Sequence, residues 1–131
     1  MKRLLVFGLT FVLLTACGES KPPYTDNGNP GQIKAIVFYD DNKNGVMDSG
    51  ESSLQTQTAI SQEISCPPQS QQSYLIIDTD TNGVGLFREL KPGKYCVDLG
   101  PNGNYNMTTR MNQEVYVSSD MVTEVSFGVA R

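Results

Sequence analysis

From residue 33 onward, short runs of alternating apolar and polar residues are broken every few positions by Gly, Pro, Asn or Asp. That pattern predicts strands, because a strand turns successive side chains to opposite faces. Residues 33–39 are β-branched and aromatic and open the series. Residues 54–64 are weakly patterned: either Thr56, Thr58 and Ile60 or Gln57, Ala59 and Ser61 face inward. Residues 74–77 read as a strand apolar on both faces, and residues 84–90 as another. After the tight turn Lys91-Pro92-Gly93-Lys94, Tyr95, Val97 and Leu99 alternate with Cys96 and Asp98. Val115 and Val117, then Val125, Phe127 and Val129, mark two final strands. No segment carries an apolar stripe at helical spacing. About seven strands so spaced predict an all-β fold, a small β-sandwich.

The first thirty residues have a different character. Lys2-Arg3 precedes an apolar run over residues 4–14, which ends in Leu14-Thr15-Ala16-Cys17. The run is shorter than the roughly 20 residues a permanent span needs, and its layout is that of a secretory signal. Leu-Thr-Ala-Cys resembles the lipobox of bacterial lipoproteins. The resemblance implies cleavage before Cys17 and a diacylglycerol on its thiol; the plainer alternative is an ordinary signal with an incidental cysteine. By the same resemblance, Gly18 would not retain the protein in an inner membrane. Residues 18–31 are rich in Gly, Pro and polar residues, which predicts a flexible tether. The expected division is a signal at 1–16, lipidated cysteine and tether at 17–31, and a globular domain at 32–131.

The candidate chemistry sits between the first two strands. Counting from Asp40, oxygen-bearing side chains fall at positions 1, 3, 5, 9 and 12 (Asp40, Asn42, Asn44, Asp48, Glu51), with Gly45 at position 6. That is the spacing of the twelve-residue calcium loop, in which Val46 adds its carbonyl and the last carboxylate binds through two oxygens. Gly45 permits the sharp turn that a side chain would obstruct. The competing reading is a polar turn that binds nothing. Strand-like flanks exclude a helix–loop–helix hand. A second candidate cation site, Asp78, Asp80 and Asn82, shares part of the spacing, but Leu86 stands at its position 9. The competing reading there is an Asx-rich hairpin turn; the other is a calcium site shared between loops, with Asp41 a further candidate for it.

Loss of residues 1–16 removes two of the 10 basic residues and none of the 14 acidic ones. The remaining acidic balance argues against nucleic acid or anionic lipid as a partner of the globular part. The chain has no histidine, no Gly-x-Ser-x-Gly elbow and no His-based metal site, so nothing points to catalysis. With Cys17 assigned to lipid, Cys66 and Cys96 remain. An exported compartment permits disulfides, so Cys66 and Cys96 are expected to pair; two separate thiols are the alternative if Cys96 faces the core.

Val37-Phe38-x-Asp40-x-Asn42-x-Asn44-Gly45-x-x-Asp48-x-Gly50-Glu51-x-x-Leu54 resembles the opening of the B repeats of serine–aspartate-repeat surface proteins, relatives of collagen-adhesin B domains. The resemblance continues through Thr79-Asp80-x-Asn82-Gly83, Phe87-x-x-Leu90-x-Pro92-Gly93-x-Tyr95-x-Val97 and Pro101-x-Gly103-x-Tyr105-x-x-Thr108, and ends at Phe127-Gly128. It implies a Greek-key, immunoglobulin-like sandwich of the transthyretin-like kind, acting as a calcium-stiffened stalk or adhesive module. Four features depart from the family. The second strand is mostly polar, Gly85 replaces a tyrosine, the connection around Cys66 is longer, and a single copy follows a lipid anchor. Lys34 could supply the amine of an isopeptide bond, but residues 124–129 offer no Asn, so no such bond is expected. The expectation is a monomeric, non-enzymatic surface module that binds Ca²⁺, attached to the cell envelope through its N-terminal lipid. The alternative is a ligand-binding domain that takes protein or glycan through loops such as 102–107.

Overall fold

The computed structural model describes residues 22–62, 65–69, 75–100 and 103–131. Eight strands form among them: β1 (Gly31–Tyr39), β2 (Gln57–Ser61), β3 (Leu75–Asp78), β4 (Val84–Leu90), β5 (Gly93–Leu99), β6 (Asn106–Met107), β7 (Asn112–Val117) and β8 (Val122–Ala130). They make two four-stranded sheets, ordered β4-β1-β8-β6 and β3-β2-β5-β7. This is the expected immunoglobulin-like sandwich. The strand beyond the expected seven is β6, which grows out of the Asn/Gly-rich stretch because Met107 pairs with Val129 and packs on the core.

β1 and β8 run parallel, in register from Gln32↔Val122 to Tyr39↔Val129. Ile33, Ala35 and Val37 of β1 and Val125, Phe127 and Val129 of β8 bury one face. Against them stand Ile60, Tyr95, Val97, Leu99 and Val117 from the other sheet. The period of two read from the sequence is therefore the pattern of the inter-sheet core.

The undecided second strand is buried on both faces. Thr58 and Ile60 point between the sheets. Ala59 and Ser61 point outward, in register with Asp98 and Cys96, yet all four are buried. Cys66 is bonded to Cys96, with the two Cα atoms 5.3 Å apart. The disulfide draws the β2–β3 connection onto this outer face, and Cys96 faces away from the core. Binary patterning fails at β2 because each face pairs a buried polar residue with a buried apolar one, Thr58 with Ile60 and Ser61 with Ala59, so neither face stands out as apolar.

Two departures from the family meet inside the sandwich. Gly85 faces inward, and a Cβ there would lie 3.0 Å from the Thr58 hydroxyl and 3.2 Å from Ile77 Cδ1. The space of a tyrosine is filled from the polar second strand and β3. Residues 74–77 were expected to be apolar on both faces. Tyr74 lies outside the described residues; Ile77 packs on the core, and Leu75 and Ile76 are exposed on the edge strand.

The end of the expected tether is held in place. Thr25 N–H donates to Ser118 Oγ and Asn27 N–H to Ser119 Oγ, each at 3.0 Å. The side-chain amides of Asn27 and Asn29 both donate to Asp120 Oδ2, and Tyr24 stacks on Tyr116 at 6.5 Å. The correction has a simple cause: the polar residues that suggest a solvated linker are the donors and acceptors that dock it on the β7–β8 turn. Cys17 and the signal lie outside the described residues.

Candidate functional site

The loop after β1 leaves and re-enters at one place. Tyr39 N–H donates to the Ser52 carbonyl, Leu54 N–H to the Val37 carbonyl, and Ser53 bridges back to Phe38. Residues 40–51 are thus pinched at the base and must curl. Gly45 has φ +78°, the left-handed region that glycine enters without strain.

Asp40, the first residue of the loop, has no exposed surface. Its Oδ1 accepts from Asn44 N–H at 3.1 Å and its Oδ2 from Gly45 N–H at 2.8 Å. Burial pushes its pKa up. The nearby Thr108 hydroxyl, without the geometry of a full hydrogen bond, and the N–H groups of Gly45, Asn44 and Lys43 outweigh that, and the carboxyl sits below its ordinary value. The floor under Asp40 is Gly128, where a Cβ would come within 3.0 Å of Asp40 Oδ2 and run into Thr108 Oγ1. Thr109 Oγ1 accepts from Gly128 N–H at 3.1 Å, and its methyl lies 3.6 Å from where a Gly45 Cβ would stand. Sequence spacing could not place Thr108, Thr109 and Gly128 beside the loop, since they stand more than fifty residues downstream.

Positions 3, 5 and 9 of the loop meet. The Asn42 and Asn44 amide nitrogens both donate to Asp48 Oδ2 at 2.7 Å. Glu51 closes the ring, Oε1 accepting from Asp41 N–H and Oε2 from Asp48 N–H, each at 2.9 Å. Val46 N–H donates to Asn44 Oδ1. Among the described residues no three Asp, Glu, Cys or His side chains stand close enough to hold a metal by themselves. The convergence rests on the two asparagines as much as on the carboxylates. Outside the loop, Arg131 lies 4.6 Å over the Tyr39 ring, 3.5 Å from Asp41 Oδ1, and donates to Ser52 Oγ.

The residues of the second candidate site are differently engaged. Asp80 Oδ1 accepts from Asn82 N–H and Val84 N–H, each at 2.9 Å, and closes the β3–β4 turn. Asp78 ends β3 and is exposed. The turn touches the chain just after the first loop through Ser53 Oγ–H to the Thr81 carbonyl. Gly83, at φ +70°, leaves room for the Val37 carbonyl. Lys34 faces Glu124 at 3.3 Å on the surface.

Comparison with known proteins agrees with this architecture. The profile of the SdrD B-like domain matches residues 31–127. The chain belongs to the SdrD B-like domain family. Two curated proteins of Dictyostelium discoideum are similar to it: Colossin-B, 44% identical over 72 residues, and Colossin-A, 39% identical over 67. Each match takes in about half of this chain (50% and 51%) but only 2% and 1% of those proteins. Among solved structures, GBS52, the minor pilin of Streptococcus agalactiae, aligns at TM-score 0.54 with 12% identity, over 79% of this chain and 45% of its own. The BcpA major pilin subunit of Bacillus cereus aligns at TM-score 0.53 with 11% identity, over 83% of this chain and 31% of its own. At such identity these structures share the fold with this SdrD B-like domain.

Proposed function

We propose that this SdrD B-like domain is a non-enzymatic, calcium-stabilised module of the cell surface, carried on a lipidated Cys17, with a structural or adhesive role. The observation that carries the calcium reading is the meeting of Asn42, Asn44 and Asp48 at one carboxylate oxygen. An amide turned over about its last torsion exchanges nitrogen for oxygen. Both asparagines would then present oxygens where their nitrogens now sit, beside a carboxylate and inside a ring closed by Glu51. The turnover gives up the hydrogen bonds from Asn44 N–H to Asn42 Oδ1 and from Val46 N–H to Asn44 Oδ1, which coordination to the cation has to offset. The Val46 carbonyl and Asp40 complete an all-oxygen donor set, which suits a hard cation such as Ca²⁺. Bound calcium would pin a loop that otherwise holds like charges together, and so stiffen one end of the sandwich.

The test is a pair of melting curves on the mature domain. Calcium should raise Tm, chelator should lower it, and magnesium should do little, because it keeps its waters and prefers a smaller octahedral shell. Binding at the roughly 10⁻⁴–10⁻³ M typical of extracellular modules stabilises by mass action, up to about 2.7 kcal/mol at 100 times the dissociation constant. Superimposable curves in chelator and in millimolar calcium would leave the loop as a turn.

The ligand-binding alternative is weakened at its centre. Tyr105 is hydrogen-bonded to Thr56 and packs against the core, and Gly103 leaves room for its ring. Its side chain is committed to the fold rather than offered to a protein or glycan.

A further inference from the structure

The docked N-terminal segment gives the sandwich a polarity relative to whatever anchors it. Hydrogen bonds from Thr25, Asn27 and Asn29 fix that segment to Ser118, Ser119 and Asp120. Cys17 and Thr25 are eight positions apart. Eight residues reach at most about 28 Å fully extended, and about 16 Å as a flexible coil. The end of the sandwich carrying the β7–β8 turn is therefore held close to the site of lipidation. The loop after Tyr39 lies at the other end of β1, eight residues of strand from Gly31, or about 27 Å.

The two ends differ in attachment and in charge rather than in apolar exposure, since Val46 (59%) and Met47 (42%) are exposed in the far loop as well. Met121 (59% exposed), Val122 (53%) and Tyr116 (36%) stand at the anchored end, with Tyr24 stacked on Tyr116. Apolar and tyrosine side chains of this kind suit the boundary between headgroups and acyl chains. Asp40, Asp41, Asp48, Glu51, Asp78 and Asp80 gather at the far end, in the first loop and the β3–β4 turn joined to it through Ser53 and Thr81. An anionic leaflet repels that pole more strongly than the anchored end, where Asp26 and Asp120 are the exposed carboxylates of the docked segment and the β7–β8 turn.

We infer that the β7–β8 end, through Met121, Val122 and the Tyr24–Tyr116 pair, rests on the lipid surface and turns the acidic loop pole outward. This rests on the lipid-anchor reading above. It makes the docked segment an orienting clasp rather than a tether, and puts the candidate cation site on the outermost part of the domain.

The test uses the full chain purified from membranes of a host that processes lipoproteins. Met121→Cys and Met47→Cys each place a thiol-reactive fluorophore at an exposed position, one at each end. The proteins are reconstituted in phosphatidylcholine–phosphatidylglycerol vesicles carrying a quencher on the headgroup. Quenching at position 121 should exceed that at position 47 by at least about threefold. The double variant Asn27→Ala/Asp120→Ala, labelled at 121, should lose most of that difference. Equal quenching at the two ends of vesicle-bound protein would overturn the inference and leave the anchor standing. Unchanged quenching in the double variant would overturn the role of the clasp. Protein that carries no acyl group and does not sediment with vesicles would remove the anchor reading itself and the inference with it.

Discussion

The candidate site is built on one buried carboxylate, that of Asp40, packed over Gly128. Asp40 could be read as the first ligand of a loop, but its burial against Gly128 could not, because that contact joins the first strand to the last. Gly128→Ala should drive a methyl into Thr108 Oγ1 and the Asp40 carboxylate. Overpacking of this kind costs about 1–3 kcal/mol. Chemical denaturation should show that loss, and calcium titration of the variant should show weaker binding than the parent, since Asp40 must shift to make room. Asp40→Ala should abolish the calcium-dependent rise in Tm, and Glu51→Gln should reduce it.

Asp120 gives a residue-scale prediction of a different kind. The Asn27 and Asn29 side-chain amides hold its carboxyl below the ordinary aspartate value. A lowered folded pKa means stabilisation that is fully present above the unfolded value, near 4, and lost as pH falls through the folded one. The N-terminal clasp should therefore loosen in acid below about pH 4, without the core melting. The side-chain amide resonances of Asn27 and Asn29 report this directly in an NMR titration. Asp120→Asn should remove the transition; if those resonances stay fixed down to pH 2, the clasp does not depend on the carboxylate.

At the scale of elements, alternation identified the strands whose inward face is a run of apolar residues and failed where small and polar residues are buried on both faces. β1, β5 and β8 show their inward residues plainly. β2 does not, because Ala59 and Ser61 lie on a face reached by the disulfide-bonded connection. The loop between Cys66 and Cys96 spans 30 positions, for which the chain-entropy estimate is about 3.6 kcal/mol. Cys66→Ser/Cys96→Ser should lose about 2–4 kcal/mol of stability. It should also speed amide exchange at Ala59 and Ser61 more than at Ile33 or Phe127. Equal loss of protection everywhere would mean that the connection does not shield the outer face of β2. The long-range pairing was not legible at all: nothing in local pattern says that β1 and β8 are parallel neighbours.

That pairing governs the whole molecule. Residues 32–39 of β1 face residues 122–129 of β8 along a continuous parallel ladder. The chain enters β1 at the end that carries the β7–β8 turn and leaves β8 at the loop end. A force applied through the two termini therefore runs along both strands in opposite senses and loads the ladder in shear, so that its hydrogen bonds must fail together. Handles on Gln32 and Val122, which stand opposite each other at the same end, would instead open the ladder one bond at a time. Forced unfolding follows the height of the unfolding barrier rather than the equilibrium stability, so the two geometries should differ even though the folded protein is the same. In single-molecule pulling, the terminal attachment should give clearly higher rupture forces than the Gln32/Val122 attachment at equal loading rate. Calcium should raise the terminal value further if the loop at the far end of the ladder is stiffened by it. Equal forces in both geometries would argue that the β1–β8 ladder is not the mechanical core, and would weaken the case for a module that transmits load at a cell surface.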